Sequence, residues 1–528
     1  MEIKKANQAI KHVFVLMLEN RSFDHMLGVL KYPATEIETG LPTTLKGLDQ
    51  TFTNSHGGVL FNTEAKAGPV MTNDPAHEFE DVVQQLCGAT AVYPQGGPYP
   101  PINNSGFVDN FAGSQNVSPR AGAANLGDVM LGYDTETKLP VLTALAKEFA
   151  VCDNWFSSLP GPTWPNRFFV HGASSAGLEH SPGAGEIIKW DVLSGFRFPN
   201  GSIFDRLKQR FPGKNAFRIY KGTKKPLIGS IPCVAALHGI HLGDARSYDN
   251  FSTDLTPDYP FPYTFIEPNY GNFLTGGFSG GNSQHPRDDV RSGEELIRKT
   301  YLAIRNSPLW LSSLLIITYD EHGGFFDHVA PGAVVAPGDG ADARFNKSGF
   351  AFDQYGVRVP ALVISAYTPK SGISHRLYDH SSIPATLESL FGMDPLTKRD
   401  AQANDLTSLA ALAEPRTDPP LDLPPLGVPA IAAALVSVSL TPEEQEESSD
   451  TGNVPGFLHI VKKAEEERKV RAQAHALAQA APVEFNFLGR AESLLDPFRE
   501  SVGTKEGARA YLEQTLQSFE EDQLPSAG

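Results

Sequence analysis

Three uninterrupted apolar stretches constrain the fold more than any other feature of this chain. Two of them, His12–Leu18 (HVFVLML) and Leu314–Thr318 (LLIIT), are rich in aliphatic residues, and a third follows at Val359–Ser365. Continuous rather than alternating hydrophobicity is typical of strands that are covered on both faces. A helical pattern at Ser292–Asn306 lies between the first two stretches. We therefore expect an α/β fold with a large, mostly parallel sheet flanked by helices.

The composition excludes several classes of protein. Hydrophobic residues make up 41% of the 528 residues and charged residues 20%, so the chain is not disordered over most of its length. The net charge of −17 argues against a nucleic-acid partner and against broad adhesion to anionic lipid. The three cysteines, Cys87, Cys152 and Cys233, form no CxxC pair, so neither a disulfide framework nor a thiolate zinc site is expected.

The sequence also bears on localisation. No apolar run reaches the roughly 18 residues that a membrane-spanning helix needs. The stretch Val13–Leu18 follows two lysines, but it is too short for the apolar region of a signal peptide and lacks a cleavage site of small residues. We therefore predict neither a signal nor a transmembrane segment, and a protein that is cytoplasmic or exported by a signal-independent route.

Three regions follow from composition. Residues 1–413 are expected to form the catalytic domain, 414–455 a proline-rich and acidic linker, and 456–528 a small C-terminal helical appendage. The appendage either packs against the catalytic domain or serves a partner or a membrane, and the sequence leaves both readings open. Within the first region, the turn-rich stretch from about residue 32 to 132 is typical of loops that cover a site.

Polar residues follow the first two predicted strands directly. Glu19 and Asn20 come after the first strand, and Asp320 and Glu321 after the second. Ligands of open α/β sheets bind at the carboxyl ends of strands, so these side chains meet if the strands are neighbours. Three carboxylates repel one another unless a cation is present, and their oxygens favour Ca²⁺, Mg²⁺ or Mn²⁺, with Zn²⁺ admitted by nearby imidazoles. The alternative is a solvated strand end.

A threonine stands where a helix is about to begin. Thr163 lies between Pro162 and Pro165 in the segment LPGPTWPNR. A hydroxyl at a helix N-terminus faces free N–H groups that favour an anion, which suits a nucleophile that attacks phosphorus. The alternative is an ordinary helix cap.

Three histidines have polar or glycine-rich surroundings. They are His77 (DPAHE), His285 (NSQHP) and His322 (DEHGG). Imidazoles can stabilise phosphoryl oxygens and protonate a leaving oxygen. The chain has 15 histidines, so each of these is alternatively a structural residue.

Several segments in one order resemble a known family. This family holds the bacterial non-haemolytic-type phospholipases C, the plant non-specific phospholipases C and related acid phosphatases. The resemblance spans roughly residues 10–395, and it rests on HVFVLMLENRSFDHMLG (12–28), LPGPTWPNRFFVHGASS (159–175), LIITYDEHGGFFDHVAPG (315–332), VRVPALVISAY (357–367) and YDHSSIPATLESLFG (378–392).

The resemblance implies a fold similar to that of alkaline phosphatases and arylsulfatases. It also implies that one divalent metal ion (Ca, Mg, Mn or Zn) is held by Glu19, Asn20, Thr163, Asp320 and Glu321. Thr163 would be the covalent nucleophile, and the phosphate pocket would be lined by His77, His285 and His322. Relatives that act on choline lipids often carry an aromatic pair after a glycine, whereas this chain has Gly132-Tyr133-Asp134.

The function implied by the resemblance is that of a metal-dependent phosphoesterase of phospholipase C type. It would hydrolyse phospholipid head-group phosphodiesters through a phospho-threonine intermediate. The alternatives are a broad-specificity acid phosphatase and, in another class, a non-catalytic phospholipid-binding protein. The expected partners are a phospholipid or small phosphoester, with transient contact to a membrane surface and no nucleic acid.

Overall fold

The computed structural model describes most of the chain. The described residues are 9–114, 122, 125–183, 190, 195–212, 216–222, 228–275, 278, 280–341, 343–426, 440, 442–450, 452–478, 498 and 501–521.

Within these residues, the strands are β1 (His12–Leu18), β2 (Ala34–Glu36), β3 (Pro42–Thr43), β4 (Thr53–His56), β5 (Val59–Asn62), β6 (Ala150–Cys152), β7 (Trp155–Phe156), β8 (Phe217–Lys221), β9 (Ala245–Ser247), β10 (Tyr263–Ile266), β11 (Ser313–Tyr319), β12 (Ala361–Ser365), β13 (Gly372–Ser374) and β14 (Tyr378–Asp379).

The α-helices in the same part of the chain are α1 (Phe23–Leu27), α2 (Phe79–Cys87), α3 (Phe107–Gly113), α4 (Thr135–Lys138), α5 (Pro140–Glu148), α6 (Thr163–Gly172), α7 (Ile203–Arg210), α8 (Phe251–Asp254), α9 (Val290–Arg305), α10 (Ser382–Phe391), α11 (Lys398–Gln402), α12 (Pro442–Glu446), α13 (Val454–Ala478) and α14 (Lys505–Glu521).

One large mixed sheet organises the described residues. Its ten strands run in the order β3-β2-β13-β6-β12-β11-β1-β10-β8-β9. Most neighbours are parallel, and β12 is antiparallel to both strands beside it. At the centre, β1 pairs in parallel with β10 and with β11, with Leu18 opposite Tyr319. The expectation of a mostly parallel α/β sheet is confirmed.

Helices cover both faces of this sheet. As a result, every residue of β11 and every residue of β1 after His12 is buried. Helices α5, α8 and α9 form one packed group, and α6, α7 and α10 form a second. Val13, Val15 and Leu16 belong to the same continuous apolar core as residues of both groups. The predicted strand at 359–365 begins two residues later than expected, at Ala361.

The turn-rich segment after β3 forms a cap on the carboxyl edge of the sheet. A second apolar cluster joins residues of α2 and α3 with Phe325 and Phe326, which follow β11. The β4–β5 hairpin is tied to the same edge, because Asn54 Nδ2 donates to Asn104 O (3.0 Å) and Asn104 Nδ2 donates to His328 O (3.2 Å). The cap therefore lies where the polar residues after the strands lie.

The C-terminal helices pack into the main core. Phe457 of α13 stacks on Phe273 with ring centroids 4.1 Å apart and contacts Trp164 at 5.5 Å. The approach at Gly456 is so close that a Cβ there would lie 2.2 Å from the Trp164 ring. Lys463 Nζ donates to three carbonyl oxygens, those of Ala235, Leu237 and Ile240. These contacts are those expected of a C-terminal region that packs against the rest of the described chain.

No helix in the described part of the chain combines the length and the apolar character that crossing a bilayer requires.

Candidate functional site

The register of the two central strands brings the acidic residues together. Leu18 lies opposite Tyr319, so Glu19 and Asn20 emerge beside Asp320 and Glu321. Asn20 adopts a left-handed conformation (φ 56°), and its N–H donates to Asp320 Oδ1 at 3.0 Å. The Arg21 N–H donates to Glu321 O at 2.9 Å. The two strand ends are thus hydrogen-bonded to each other, and the four predicted residues lie together, buried, at one edge of the sheet.

Thr163 is the first residue of α6 and reaches the same place. Its hydroxyl donates to Asn20 Oδ1 at 3.5 Å. Pro162 occupies the cap position and supplies no side-chain hydrogen bond. The turn before the helix is held by Asn166, whose Nδ2 donates to Gly161 O (2.9 Å) and Pro162 O (3.1 Å). Because Pro162 caps the helix, the Thr163 hydroxyl is not used as a cap.

His77 borders the site on its open side. Its Nε2 lies 3.4 Å from Asn20 Nδ2 and 3.9 Å from Glu321 Oε1, and its Nδ1 is 2.8 Å from Pro75 O. Burial lowers the pKa of His77, but the carboxylates of Glu321, Asp74 and Glu78 outweigh it and raise the pKa to about 9. Its side chain is 17% exposed and that of Asp74 is 19% exposed, so the site opens to solvent along this segment.

His285 lies deeper and stacks face to face on Phe278, with centroids 3.5 Å apart. Its Nε2 is 3.5 Å from Asp74 Oδ1. Burial, followed by the nearby cation of His77, lowers the pKa of His285 well below its usual value. A neutral imidazole is therefore expected here.

His322 lies directly behind Glu321. Its Nε2 is 2.8 Å from Gln85 Oε1, and its Nδ1 is 3.3 Å from Glu321 Oε2. The side-chain N–H groups of Gln85 donate to Ala76 O and Asn110 Oδ1, so its Oε1 is the acceptor and His322 Nε2 is the donor. Since both ring nitrogens face protein groups, a place for His322 in the phosphate pocket stays a prediction.

The donor set fits a divalent cation. Two buried carboxylate oxygens, Glu19 Oε2 and Glu321 Oε1, have no hydrogen-bond partner among the described residues. Burial, together with repulsion from Glu321, raises the pKa of Asp320 to about 6 although Arg167 opposes the shift. Burial likewise raises the pKa of Glu19 well above its usual value. A hard cation bound to these oxygens would remove both penalties.

A second acidic cluster lies at the same edge outside this pocket. Asp24, Asp327 and His328 bring potential ligand atoms within 4.8 Å of one another. Arg358 already occupies this cluster, since its Nη2 donates to Asp24 Oδ1 (2.8 Å) and its Nε donates to Asp327 Oδ1 (3.1 Å). A guanidinium ion therefore neutralises these carboxylates, and the cluster is a buried ion-pair network.

Three residues around the site, Arg167, Glu267 and His380, have no role in the sequence-based prediction. Arg167 lies one helical turn after Thr163, and its Nε donates to Asp320 Oδ2 at 2.9 Å. Glu267 follows β10, a strand that the apolar pattern does not reveal. The spacing of four residues from Thr163 is the signal that could have found Arg167, because residues i and i+4 share a helix face.

His380 holds the backbone of Asp320, which forms the acidic pair of the site with Glu321. Trp155 Nε1 donates to His380 Nδ1 (3.2 Å), which fixes the remaining proton on Nε2. Nε2 then donates to Asp320 O at 2.6 Å. Burial lowers the pKa of His380 to about 4, so this imidazole is neutral.

A family model and curated relatives assign this chain to one family. Residues 10–394 match the model of the Phosphoesterase family. Non-specific phospholipase C3 of Arabidopsis thaliana is 34% identical over 79% of this chain and 76% of its own length. Non-specific phospholipase C6 of the same plant is 35% identical, and the match covers 79% of this chain and 75% of its own length. Phospholipase C B of Mycobacterium tuberculosis is 28% identical, and the match covers 79% of this chain and 81% of its own length. Among solved structures, a protein of the alkaline phosphatase superfamily from Vibrio parahaemolyticus aligns with 17% identity over 51% of this chain and 64% of its own, with a TM-score of 0.30.

Proposed function

Since this chain belongs to the Phosphoesterase family and is a hydrolase acting on phosphoester bonds, we propose that it is a metal-dependent phospholipase C that cleaves phospholipid head-group phosphodiesters through a phospho-threonine. The observation that carries the proposal is the meeting of Thr163 with Asn20 and the acidic pair at one buried sheet edge. The chain covers about three quarters of the curated plant relatives named as non-specific phospholipases C.

The proposed reaction has two steps. Thr163 Oγ1 attacks phosphorus and loses its proton to water, and the bond between phosphorus and the glycerol oxygen breaks. The departing oxygen takes up a proton and leaves as diacylglycerol. Water then hydrolyses the phospho-threonine, which restores the hydroxyl and releases the phosphorylated head-group alcohol. One covalent intermediate thus divides a difficult hydrolysis into two displacements.

The residues around Thr163 have distinct parts in this scheme. Asn20 orients the threonine hydroxyl through its Oδ1. His77 lies on the open side, and the carboxylates of Glu321, Asp74 and Glu78 raise its pKa, which favours the protonated ring that can donate to a phosphoryl oxygen or to the departing oxygen. The oxygens of Glu19, Asn20, Thr163, Asp320 and Glu321 would hold the metal ion. When bound, that ion would favour deprotonation of the threonine hydroxyl and neutralise charge on the non-bridging phosphoryl oxygens.

A comparison of two chromogenic substrates tests the proposed function. We expect p-nitrophenyl phosphorylcholine to be hydrolysed with a kcat/KM at least about 10-fold above that of p-nitrophenyl phosphate, because a diester-cleaving site gains from its second substituent. Phosphatidylcholine should yield diacylglycerol and phosphocholine in equal amounts. A clear preference for the monoester would instead favour an acid phosphatase, and binding without turnover would favour a lipid-binding protein.

Membrane contact at the mouth of the site is part of the proposal. At the tip of the β4–β5 hairpin, Val59 is 57% exposed and Leu60 is 69% exposed. The hairpin is fixed to the carboxyl edge of the sheet, which also carries the open side of the site. Apolar side chains that project from such an edge suit the interfacial region of a bilayer, and the net charge of −17 favours a zwitterionic surface over an anionic one.

Serine at both tip positions should weaken this contact. We expect the Val59→Ser/Leu60→Ser variant to partition into phosphatidylcholine vesicles about 10-fold less well, because it lacks two aliphatic side chains that the bilayer would partly bury. Its rate on the soluble chromogenic diester should remain unchanged. The matched control is Leu311→Ser/Leu421→Ser, which removes two exposed leucines, one of them just before β11 at the opposite edge. Equal losses in both variants would contradict the assigned surface.

A further inference from the structure

We propose that Arg167 is a positioning residue that fixes the distance between the nucleophile and the acidic pair of the site. This inference rests on the proposed function and assigns a part to a residue outside the predicted ligand set. Arg167 is 2% exposed and lies on α6, four residues after Thr163, so both side chains share one face of the helix. A movement of α6 relative to the strand ends would therefore move both together.

The guanidinium group joins α6 to both central strands. Its Nε donates to Asp320 Oδ2 at 2.9 Å, and its Nη2 donates to Leu18 O at 3.2 Å. Asp320 follows β11, and Leu18 is the last residue of β1. The planar fork of an arginine can serve both acceptors at once, whereas a lysine ammonium provides one point of contact.

The Asp320 carboxylate is held from both sides as a result. Oδ1 accepts the backbone N–H groups of Asn20 (3.0 Å) and Glu321 (2.8 Å), and Oδ2 accepts Arg167. These three donors lie on α6 and on the two strand ends. The orientation of the carboxylate is therefore fixed by the same elements that carry Thr163 and Glu19. Groups that hold a metal-binding carboxylate in this way tune the metal affinity of a site.

A second anchor keeps the guanidinium in place. Its Nη1 lies 3.8 Å from Glu267 Oε2 and makes no hydrogen bond among the described residues. Glu267 is itself fixed by the backbone N–H groups of Cys233 and Val234, both at 2.8 Å. The Arg167 guanidinium also lies over the Tyr270 ring, 5.3 Å from its centroid. The side chain is thus held by a carboxylate that has no part in the predicted ligand set.

Two substitutions and a matched control test this assignment. We expect Arg167→Met to lower kcat on p-nitrophenyl phosphorylcholine about 100-fold while KM changes less than about 3-fold, because the nucleophile and the acidic pair lose their common link. The EDTA concentration that removes half of the metal from the purified protein, measured by elemental analysis, should fall about 10-fold. Arg167→Lys should restore the metal affinity in part but not kcat, since it keeps the charge and loses the fork.

The control is Arg358→Met. Arg358 is also fully buried and also joins two carboxylates at this edge, but it lies outside the pocket. We expect it to lower the melting temperature without lowering kcat or metal affinity in the folded fraction. If Arg167→Met does not accumulate as folded protein, Arg167→Lys decides the matter through kcat at an unchanged KM.

Unchanged kcat and metal affinity in folded Arg167 variants would overturn the proposal. Equal losses of kcat and metal affinity in Arg167→Met and in the control Arg358→Met would overturn it as well. Failure of the proposed function gives a different result. In that case the wild-type protein does not hydrolyse the diester, while the EDTA titration still reports on Arg167.

Discussion

Replacing Thr163 by alanine should abolish turnover while leaving the fold intact. Loss of a covalent nucleophile lowers kcat by at least about 10⁴-fold in hydrolases that act through an acyl or phosphoryl intermediate. Within the described structure the hydroxyl has one long hydrogen bond, 3.5 Å to Asn20 Oδ1, so its removal costs little stability. Initial rates on p-nitrophenyl phosphorylcholine and a thermal unfolding curve measure the two effects separately.

Thr163→Ser serves as the matched variant, because it keeps the hydroxyl and loses only a methyl group. It should retain activity within roughly 10-fold of the wild type. Wild-type protein that is acid-quenched during turnover of p-nitrophenyl phosphorylcholine should carry a phosphocholine group on its Thr163 peptide, which mass spectrometry detects, and the alanine variant should not. Near-normal activity of Thr163→Ala would exclude the covalent mechanism.

Ending the chain before α13 should destabilise the whole protein. The truncation uncovers the Trp164, Tyr270 and Phe273 rings, all of which contact Phe457. It also removes Lys463, whose ammonium serves three carbonyl oxygens. We expect a chain that stops after residue 453 to be insoluble or inactive, because exposing buried aromatic surface of this size costs several times the roughly 2 kcal/mol assigned to one large side chain.

A point substitution gives the same test in a chain of full length. Phe457→Ala should lower the free energy of unfolding by about 3–5 kcal/mol, as is typical of a phenylalanine removed from a core. Phe519→Ala, near the end of α14 and only partly buried, should cost clearly less. Full activity of the truncated chain, with a changed location in the cell, would contradict this expectation and make the C-terminal region a delivery segment.

The sequence predicts the centre of the sheet well, because burial on both faces leaves a continuous apolar run. The strand at His12–Leu18 is found at its predicted bounds, and that at 314–318 is one residue longer at each end. The short strands on the β3 side of the sheet are not predictable in this way. Strands such as β6 (AVC) and β13 (GIS) have three residues each, too few for any periodicity to show.

The site likewise has a part that the sequence predicts, the residues that follow long strands, and a part that it does not. Glu19, Asn20, Asp320 and Glu321 can be placed from the sequence because they follow long strands, and their proximity needs only the assumption that the strands are neighbours. The approach of Thr163 to Asn20 depends on the turn held by Asn166, which no local pattern specifies. Glu267 was missed because the four residues of β10 include a threonine and a tyrosine and do not read as an apolar run.

The close packing of Gly456 and Phe457 against Trp164 has a consequence for biosynthesis. The residues of the candidate site are translated before the helix that covers the neighbour of Thr163. The nascent polypeptide therefore carries an unfinished core until α13 has been made. Folding around Thr163 is expected to finish only once that helix has left the ribosome, and any chain that stops before α13 lacks this cover.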